Sequence, residues 1–210
     1  MMPSSIQELT VEEIFTRLST IDHQEPSPRL IFPRFPPQFF NAMPQNAAVL
    51  VPFQRISGQW NILFTRRKSS LPEHSGQVAF PGGRADPSDG SAEETALREA
   101  EEEINLSPDD VEVLGRLHEL QTISNYCVQP VVGVIPWPYE FKMAKEEVSR
   151  VFTIPLEWLA DPNHHEIKFR ELPGLHSPVP VIYFNLYQGE LLWGVSAEIT
   201  LDLMESLQII

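Results

Sequence analysis

A glycine turn followed by a strongly capped helix dominates the middle of the sequence, between Phe80 and Leu106. Two adjacent glycines permit a tight chain reversal, and Ser91 with Glu94 three residues later has the pattern of a capping box. The spacing predicts a helix over 92–104, with Asn105 as a left-handed stop. This stretch by itself predicts one helix and the loop that leads into it.

The predicted helix has two faces of different chemistry. At about 100° per residue, Glu99, Glu102 and Glu103 share one arc beside an apolar side. The apolar side consists of Ala96, Leu97, Ala100 and Ile104. The acids repel one another by about 0.2–0.5 kcal/mol per pair, and Arg98 can offset only part of this. The cluster is either a solvated acidic face or a site whose carboxylate oxygens bind Mg²⁺ or Mn²⁺.

The residue types from Arg98 onward resemble the second half of the Nudix box, R-E-U-x-E-E-x-G-U, where U is a bulky aliphatic residue. The segment from Phe80 to Gly83 matches the usual approach to that box. Three features depart from it, beginning with a loop that is one residue longer and has no glutamate near Gly90. Ala100 is small for the aliphatic position, and Asn105 replaces the final glycine.

A second motif over residues 63–83 resembles the signature of coenzyme A pyrophosphatases, L-L-T-x-R-S-x-x-L-x-x-H-x-G-x-V-x-F-P-G-G, a branch of the same family. Phe64 and Lys68 replace its second leucine and its serine. The resemblance implies a Nudix-type α/β/α sandwich with a mixed sheet and the box helix packed between sheets. It also implies metal-dependent cleavage of coenzyme A to adenosine 3′,5′-bisphosphate and 4′-phosphopantetheine, or acyl-phosphopantetheine from a thioester. The alternatives are cleavage of ADP-ribose or another nucleoside diphosphate derivative, and a non-catalytic, ligand-sensing Nudix domain.

The same resemblance implies roles for individual residues. Glu99 and Glu103 are the predicted ligands of Mg²⁺ or Mn²⁺, and Glu102 is a third ligand or the residue that orients water. Arg98 is counted with the catalytic group because it would steer a glutamate through a charge-assisted pair. Glu147 is the predicted general base, because it lies in a stretch similar to the family's D-E-V segment.

We also predict substrate contacts in the glycine turn and in the basic group that precedes it. The predicted substrate-binding residues are Arg66, Arg67, His74, Gly82 and Gly83. Together with Lys68, the basic residues could recognise the 3′-phosphate that coenzyme A carries and ADP-ribose lacks. Because neighbouring side chains on a strand point to opposite faces, Lys68 and one arginine could instead be exposed strand-end charges.

Composition limits the remaining possibilities. The chain has 210 residues, 42% of them hydrophobic, which is enough for one sizeable core. We predict a Nudix domain over 46–210, with an N-terminal helix and a proline-rich arm over 1–45 packed on it. The net charge of −14 argues against a nucleic-acid partner and favours a small-molecule one. A single cysteine, Cys127, and no signal peptide or membrane span predict a cytoplasmic protein. A homodimer is compatible with the sequence.

Apolar periodicity predicts the remaining elements. A helix beginning after Thr10 should bury Val11, Ile14, Phe15 and Leu18, and another should span 197–210. A hairpin is expected to join 181–187 to 191–195 around Gln188-Gly189. The other predicted strands are 47–53, 60–66, 77–80, 111–122, 128–135 and 148–152.

Overall fold

A computed structural model of the chain describes residues 6–23, 43–69, 76–171 and 178–210. It contains four α-helices and ten strands within these ranges. The helices are α1 (Val11–Leu18), α2 (Ala92–Ile104), α3 (Leu156–Ala160) and α4 (Gly194–Ser206). The strands are β1 (Gln45–Ile56), β2 (Gln59–Arg67), β3 (Val78–Ala79), β4 (Gly82–Arg84), β5 (Glu112–Arg116), β6 (Leu120–Gln121), β7 (Tyr126–Val134), β8 (Val148–Pro155), β9 (His165–Arg170) and β10 (Val179–Phe184).

Eight of these strands form one mixed sheet. The order through its centre is β3-β2-β1-β7-β5, with β4 paired to β1, β6 to β7 and β8 to β2. Strands β1 and β7 are parallel, and the other pairs are antiparallel. Strands β9 and β10 form a separate antiparallel pair.

Side chains alternate between two apolar cores on opposite faces of the large sheet. On one face, Leu50 and Leu63 pack with the apolar side of α2. On the other face, their neighbours Val51 and Phe64 pack with residues of α1, α3 and α4. The resulting α/β/α sandwich confirms the predicted fold class. Helix α2 contacts one face of a single sheet, so the expectation that it packs between sheets was wrong.

The structure corrects two predicted strand arrangements. The run 111–122 is divided into β5 and β6, with a register shift between Val113 and Gly115. The second correction concerns the partner of β10, which pairs with β9, a strand that begins at His165 and was not predicted. The predicted hairpin around Gln188-Gly189 is present as isolated antiparallel bridges: the backbones of Tyr187 and Glu190 exchange two hydrogen bonds, and Tyr183 is bridged to Trp193.

Helix α1 docks on the domain as expected. Its capping box at Thr10 and Glu13 is complete, and Ile14 and Leu18 are fully buried in the second core. Phe15 is 53% exposed, which corrects the predicted apolar face. Most of the predicted proline-rich arm lies outside the described residues. No helix among the described residues is long and apolar enough to cross a membrane.

Candidate metal and catalytic centre

The glycine turn lies where β1 and β2 separate. β3 pairs with β2, and β4 pairs with β1, so the turn crosses between the two strands. At Gly82 the approach to β1 is so close that an added Cβ would lie 2.4 Å from the carbonyl oxygen of Ala48. Its φ of +155° adds to the requirement for glycine. Gly82 therefore fixes the path of the turn under α2.

Gly83 makes room for a carboxylate of the helix above it. An added Cβ would lie 2.5 Å from the carboxyl carbon of Glu99. The structure thus brings the second glycine of the turn against a predicted metal ligand. Whether Gly82 and Gly83 also touch a substrate remains a prediction.

Helix α2 has the predicted bounds, and its caps explain why. The Ser91 side chain accepts a hydrogen bond from the backbone N–H of Glu94, and Asn105 ends the helix at φ 57° in the left-handed region. The expected capping box is only half formed, because the Glu94 carboxylate accepts from the N–H of Gly90 at 2.6 Å and not from that of Ser91. The caps fix which residues face the sheet and so place the acids.

The three clustered acids of α2 differ sharply in burial. Glu103 is buried, Glu99 is partly buried and Glu102 has a side chain that is 61% exposed. Burial raises the pKa of Glu103 to about 8, although the nearby Arg67 opposes this. Burial also raises the pKa of Glu99, and the charges of Glu102 and Glu147 add to that effect. The acidic arc is therefore a partly buried, mutually repelling group and not a solvated helix face.

Arg67 faces this group from β2. Its Nη1 lies 3.8 Å from Oε1 of Glu103, a loose ion pair on a side chain that is 29% exposed. Within the described residues, Nε of Arg67 and Oε2 of Glu103 are buried and have no hydrogen-bond partner. A buried carboxylate oxygen left without a partner costs free energy, and a bound cation would remove that cost.

Arg98 fastens the approach loop to the acidic arc. Its Nε and Nη2 donate to the two carboxylate oxygens of Asp89 at 3.1 and 2.9 Å, and its Nη1 donates to Glu99 at 2.9 Å. Nη1 also lies 3.4 Å from Glu102, and Nη2 donates to the carbonyl of Arg84. This guanidinium holds the pKa of the Asp89 carboxyl well below its usual range. The structure thus brings Arg98 into contact with Glu99, and its role in steering that carboxylate stays a prediction.

Glu147 reaches the site through the segment before β8. The N–H of Ala144 donates to the carbonyl of Glu103 at 2.8 Å, and the N–H of Lys68 donates to the carbonyl of Glu147. The Glu147 side chain is exposed, and its charge contributes to the raised pKa values of both Glu99 and Glu103. Its neighbour Glu146 instead pairs with Lys68 at 3.5 Å. The structure thus brings Glu147 near the acids of α2.

Other predicted residues are not brought to this group. Arg66 points to the opposite face of the sheet, where its Nη1 lies 3.5 Å from Glu190. His74 lies outside the described residues. Sequence reasoning gave no role to Asp89, although a carboxylate in the loop before an arginine-bearing helix was a usable signal. It also missed Arg150 and Glu190, which come from distant strands and turns.

The donors that are present suit a hard divalent cation. Glu99 and Glu103 stand one helical turn apart, and carboxylate oxygens are the ligands that Mg²⁺ and Mn²⁺ prefer. The partnerless Oε2 of Glu103 fits such a group, and so does the absence of a side chain at Gly83, which lets the Glu99 carboxylate lie there. Among the described residues no three carboxylate, imidazole or thiol side chains already converge on one point, so Glu102 or Glu147 would have to turn inward to complete a ligand set.

Comparison with known proteins agrees with this fold and helix. The NUDIX domain model matches residues 43–175. An uncharacterized Nudix hydrolase NudL of Photorhabdus laumondii is 39% identical over 175 residues, covering 83% of this chain and 91% of its own. The Yersinia pestis (strain Pestoides F) protein of the same name is 40% identical over 172 residues, covering 81% and 84%.

A solved structure supports the architecture. The crystal structure of a MutT/nudix family protein from Enterococcus faecalis aligns with 96% of this chain and 75% of its own, with a TM-score of 0.54 at 16% identity. At that identity it shows the fold alone. With the family model and the close relatives, the chain belongs to the Nudix hydrolase family.

Proposed function

We propose that this protein is a metal-dependent pyrophosphohydrolase that cleaves the diphosphate bond of coenzyme A and its derivatives. The products would be adenosine 3′,5′-bisphosphate and 4′-phosphopantetheine, or acyl-phosphopantetheine from a thioester. The observation that carries the reaction type is the pair Glu99 and Glu103, one helical turn apart, in which Glu103 is buried and Glu99 lies against Gly83. The choice of coenzyme A rests on the resemblance of residues 63–83 to the coenzyme A pyrophosphatase signature.

The side chains that would hold Mg²⁺ or Mn²⁺ are Glu99, Glu103 and Glu102. A divalent cation bound there supplies Lewis-acid polarisation of the phosphoryl oxygens and lowers the pKa of a coordinated water. Arg98 keeps one oxygen of Glu99 engaged at 2.9 Å and so fixes the direction of the carboxylate. Arg67 partly offsets the charge of Glu103 on the sheet side.

Proton transfer is assigned to a carboxylate outside the metal-ligand pair. Glu147 is exposed, lies near Glu99 and Glu103, and would accept the proton of the attacking water. Glu102, which is also exposed, is the alternative base if it is not needed as a ligand.

A substrate panel with separated products tests this proposal. The purified chain would be given coenzyme A, acetyl-coenzyme A, coenzyme A disulfide and ADP-ribose at fixed Mg²⁺ and at fixed Mn²⁺. We expect the highest kcat/KM for a coenzyme A derivative and release of adenosine 3′,5′-bisphosphate. Preferential cleavage of ADP-ribose would move the substrate to another nucleoside diphosphate. Binding without cleavage of any compound would identify a ligand-sensing domain.

A further inference from the structure

A cationic cluster lies on the face of β2 and β8 opposite to Glu103. Arg66 and Arg150 are direct partners across these antiparallel strands, so their side chains leave the same face. Nη1 of Arg150 donates to Oε1 of Glu190 at 2.8 Å, and Nη1 of Arg66 lies 3.5 Å from the same oxygen. Nη2 of Arg150 also donates to Oε1 of Gln188 at 3.2 Å.

Both arginines are held in place yet remain open to solvent. The Glu190 side chain is only 6% exposed, so its carboxylate is a fixed anchor. The guanidinium carbon of Arg150 lies 5.1 Å from the centre of the Phe152 ring, a cation–π contact. The side chains of Arg66 and Arg150 are nevertheless 44% and 38% exposed. The fold therefore presents two oriented guanidinium groups to the surroundings.

The charges of this cluster do not balance. Two guanidinium groups share one oxygen of one carboxylate, which leaves a net positive charge in a chain whose total is −14. Each guanidinium has five donors, and within the described residues the three contacts to Glu190 and Gln188 are the hydrogen bonds these two side chains make. Like charges directly opposite on paired strands are unfavourable, so a bound anion would lower the free energy of the arrangement.

The cluster lies at the same strand end as the catalytic centre. Arg66 adjoins Arg67, whose Nη1 is 3.8 Å from Glu103, and Arg150 follows Glu147 by three residues. At about 3.3 Å per residue, that separation along the chain is roughly 10 Å. A β-bulge between Arg66 and Arg67 bends the strand here, and bulges commonly redirect side chains near active sites. Because the two groups lie on opposite faces of the sheet at this strand end, a substrate that extends beyond its diphosphate would reach both by passing around the end of β2 and β8.

From this geometry we infer that Arg66 and Arg150 form a subsite for a second anionic group of the substrate, a phosphomonoester on the nucleoside beside the diphosphate. The 3′-phosphate of coenzyme A is such a group, and in this respect the inference rests on the proposed function. Glu190 is a positioning residue that fixes the two guanidinium groups. Arg67, which faces Glu103 on the other side of the sheet, is not part of this subsite.

Equilibrium binding without metal tests the subsite apart from catalysis. Adenosine 3′,5′-bisphosphate and adenosine 5′-monophosphate would be titrated into the wild type, Arg66→Ala, Arg150→Ala and Arg150→Lys. We expect the wild type to bind the bisphosphate at least about tenfold more tightly. Each alanine variant should reduce that preference to below about threefold, and Arg150→Lys should keep part of it because the charge remains.

Arg55→Ala is the matched control. Arg55 is also an arginine over an aromatic ring, 5.4 Å from the centre of Trp60, but it lies at the hairpin end of β1 and β2. It should leave the preference for the bisphosphate unchanged. Melting curves of all variants separate loss of the subsite from loss of folding. If the contacts of Arg66 and Arg150 with Glu190 only stabilise the fold, the alanine variants should have lower unfolding temperatures but an unchanged ratio of the two affinities.

The ratio of kcat/KM for coenzyme A to that for 3′-dephospho-coenzyme A separates the two proposals. A wild-type ratio near one, or a bisphosphate preference that survives both alanine substitutions, would overturn the subsite while coenzyme A cleavage stands. Selective binding of the bisphosphate that both alanine variants lose, in a protein that cleaves neither coenzyme, would uphold the subsite and overturn the proposed function.

Discussion

The two ends of helix α2 carry similar charges in opposite environments. At the N-terminal end, Asp89 is held by Arg98, and Glu93 accepts two hydrogen bonds from Arg116, so both pKa values are lowered. Towards the C-terminal end, Glu103 is buried and Glu99 is partly buried beside other acids, and their pKa values are raised. The first group stabilises the fold. The second group raises the free energy of the folded state when no cation is bound, which is typical of groups retained for binding or catalysis.

The largest effect is expected where an acid of the second group is neutralised. Glu103→Gln and Glu99→Gln should each lower kcat by roughly 10³-fold or more, because losing a charged ligand removes several kcal/mol of transition-state stabilisation. In chelator their unfolding temperatures should not fall, since each substitution removes a carboxyl whose ionised form is disfavoured by burial. Steady-state kinetics at saturating Mn²⁺ and thermal melts measure both quantities.

Glu93→Gln is the control from the other end of the same helix. It should keep kcat within about threefold of the wild type while losing about 1 kcal/mol of stability, or roughly 2–4 °C in unfolding temperature. Near-wild-type turnover of either Glu99→Gln or Glu103→Gln would contradict the view that the acids at the C-terminal end of α2 serve catalysis while those at its N-terminal end serve stability.

The next largest effect concerns the proton acceptor. Glu147→Gln should lower kcat by about a hundredfold and remove the acidic limb of the pH–rate profile, because a general base must be ionised to accept a proton. Glu146→Gln is the matched control, since its side chain is 92% exposed and pairs only with Lys68 among the described residues. A loss below about tenfold for Glu147→Gln, with an unchanged profile, would make Glu102 the stronger candidate.

A smaller effect should follow from weakening the contacts of Arg98, which join Asp89 before the helix to Glu99 on it. Asp89→Asn removes the charge that holds Arg98, which in turn orients Glu99. We expect kcat/KM to fall by about tenfold, as for residues that orient metal ligands, together with a lower unfolding temperature. Asp86→Asn, in the same loop but bonded to Ser88, should change neither by much. Unchanged kcat/KM in Asp89→Asn would show that Glu99 does not depend on this anchor.

The mildest test is the pH dependence of stability without metal. Glu103 has a folded-state pKa of about 8, above that of an unfolded glutamate, so the folded state binds more protons between these values. The free energy of unfolding should therefore fall as pH rises from about 5 to 8, by at most about 1.4 kcal/mol per pH unit from this group. Denaturant melts of Glu103→Gln should show a shallower fall over the same range. An identical slope in both proteins would place the Glu103 pKa near its ordinary value.

Local chemistry explains which elements the sequence could predict. The bounds of α2 follow from Ser91 and Asn105, both of which act within a few residues of the chain. Strand β9 was missed although Ile167 and Phe169 alternate with charged residues, because both apolar side chains are exposed and the segment is fixed as a strand by pairing with β10. The turn at Gln188-Gly189, by contrast, was predictable, because both residues adopt the positive φ that a two-residue hairpin turn requires.

The site shows the same division between local and distant information. Helical spacing placed Glu99, Glu102 and Glu103 on one arc, but not the order of their burial, which depends on where β1, β4 and the segment before β8 lie. Strand alternation left open which arginine would face the acids. The structure gives that place to Arg67 and pairs Arg66 with Arg150, a residue more than eighty positions away along the chain.

Direct measurement of Mn²⁺ binding tests the central claim that the C-terminal acids of α2 form a cation site. Titrations would follow free Mn²⁺ by electron paramagnetic resonance in the wild type, Glu103→Gln and Glu93→Gln at one pH and ionic strength. We expect the wild type and Glu93→Gln to bind with similar affinity, and Glu103→Gln to bind at least about tenfold more weakly. Equal affinity of Glu103→Gln and the wild type would contradict the assignment.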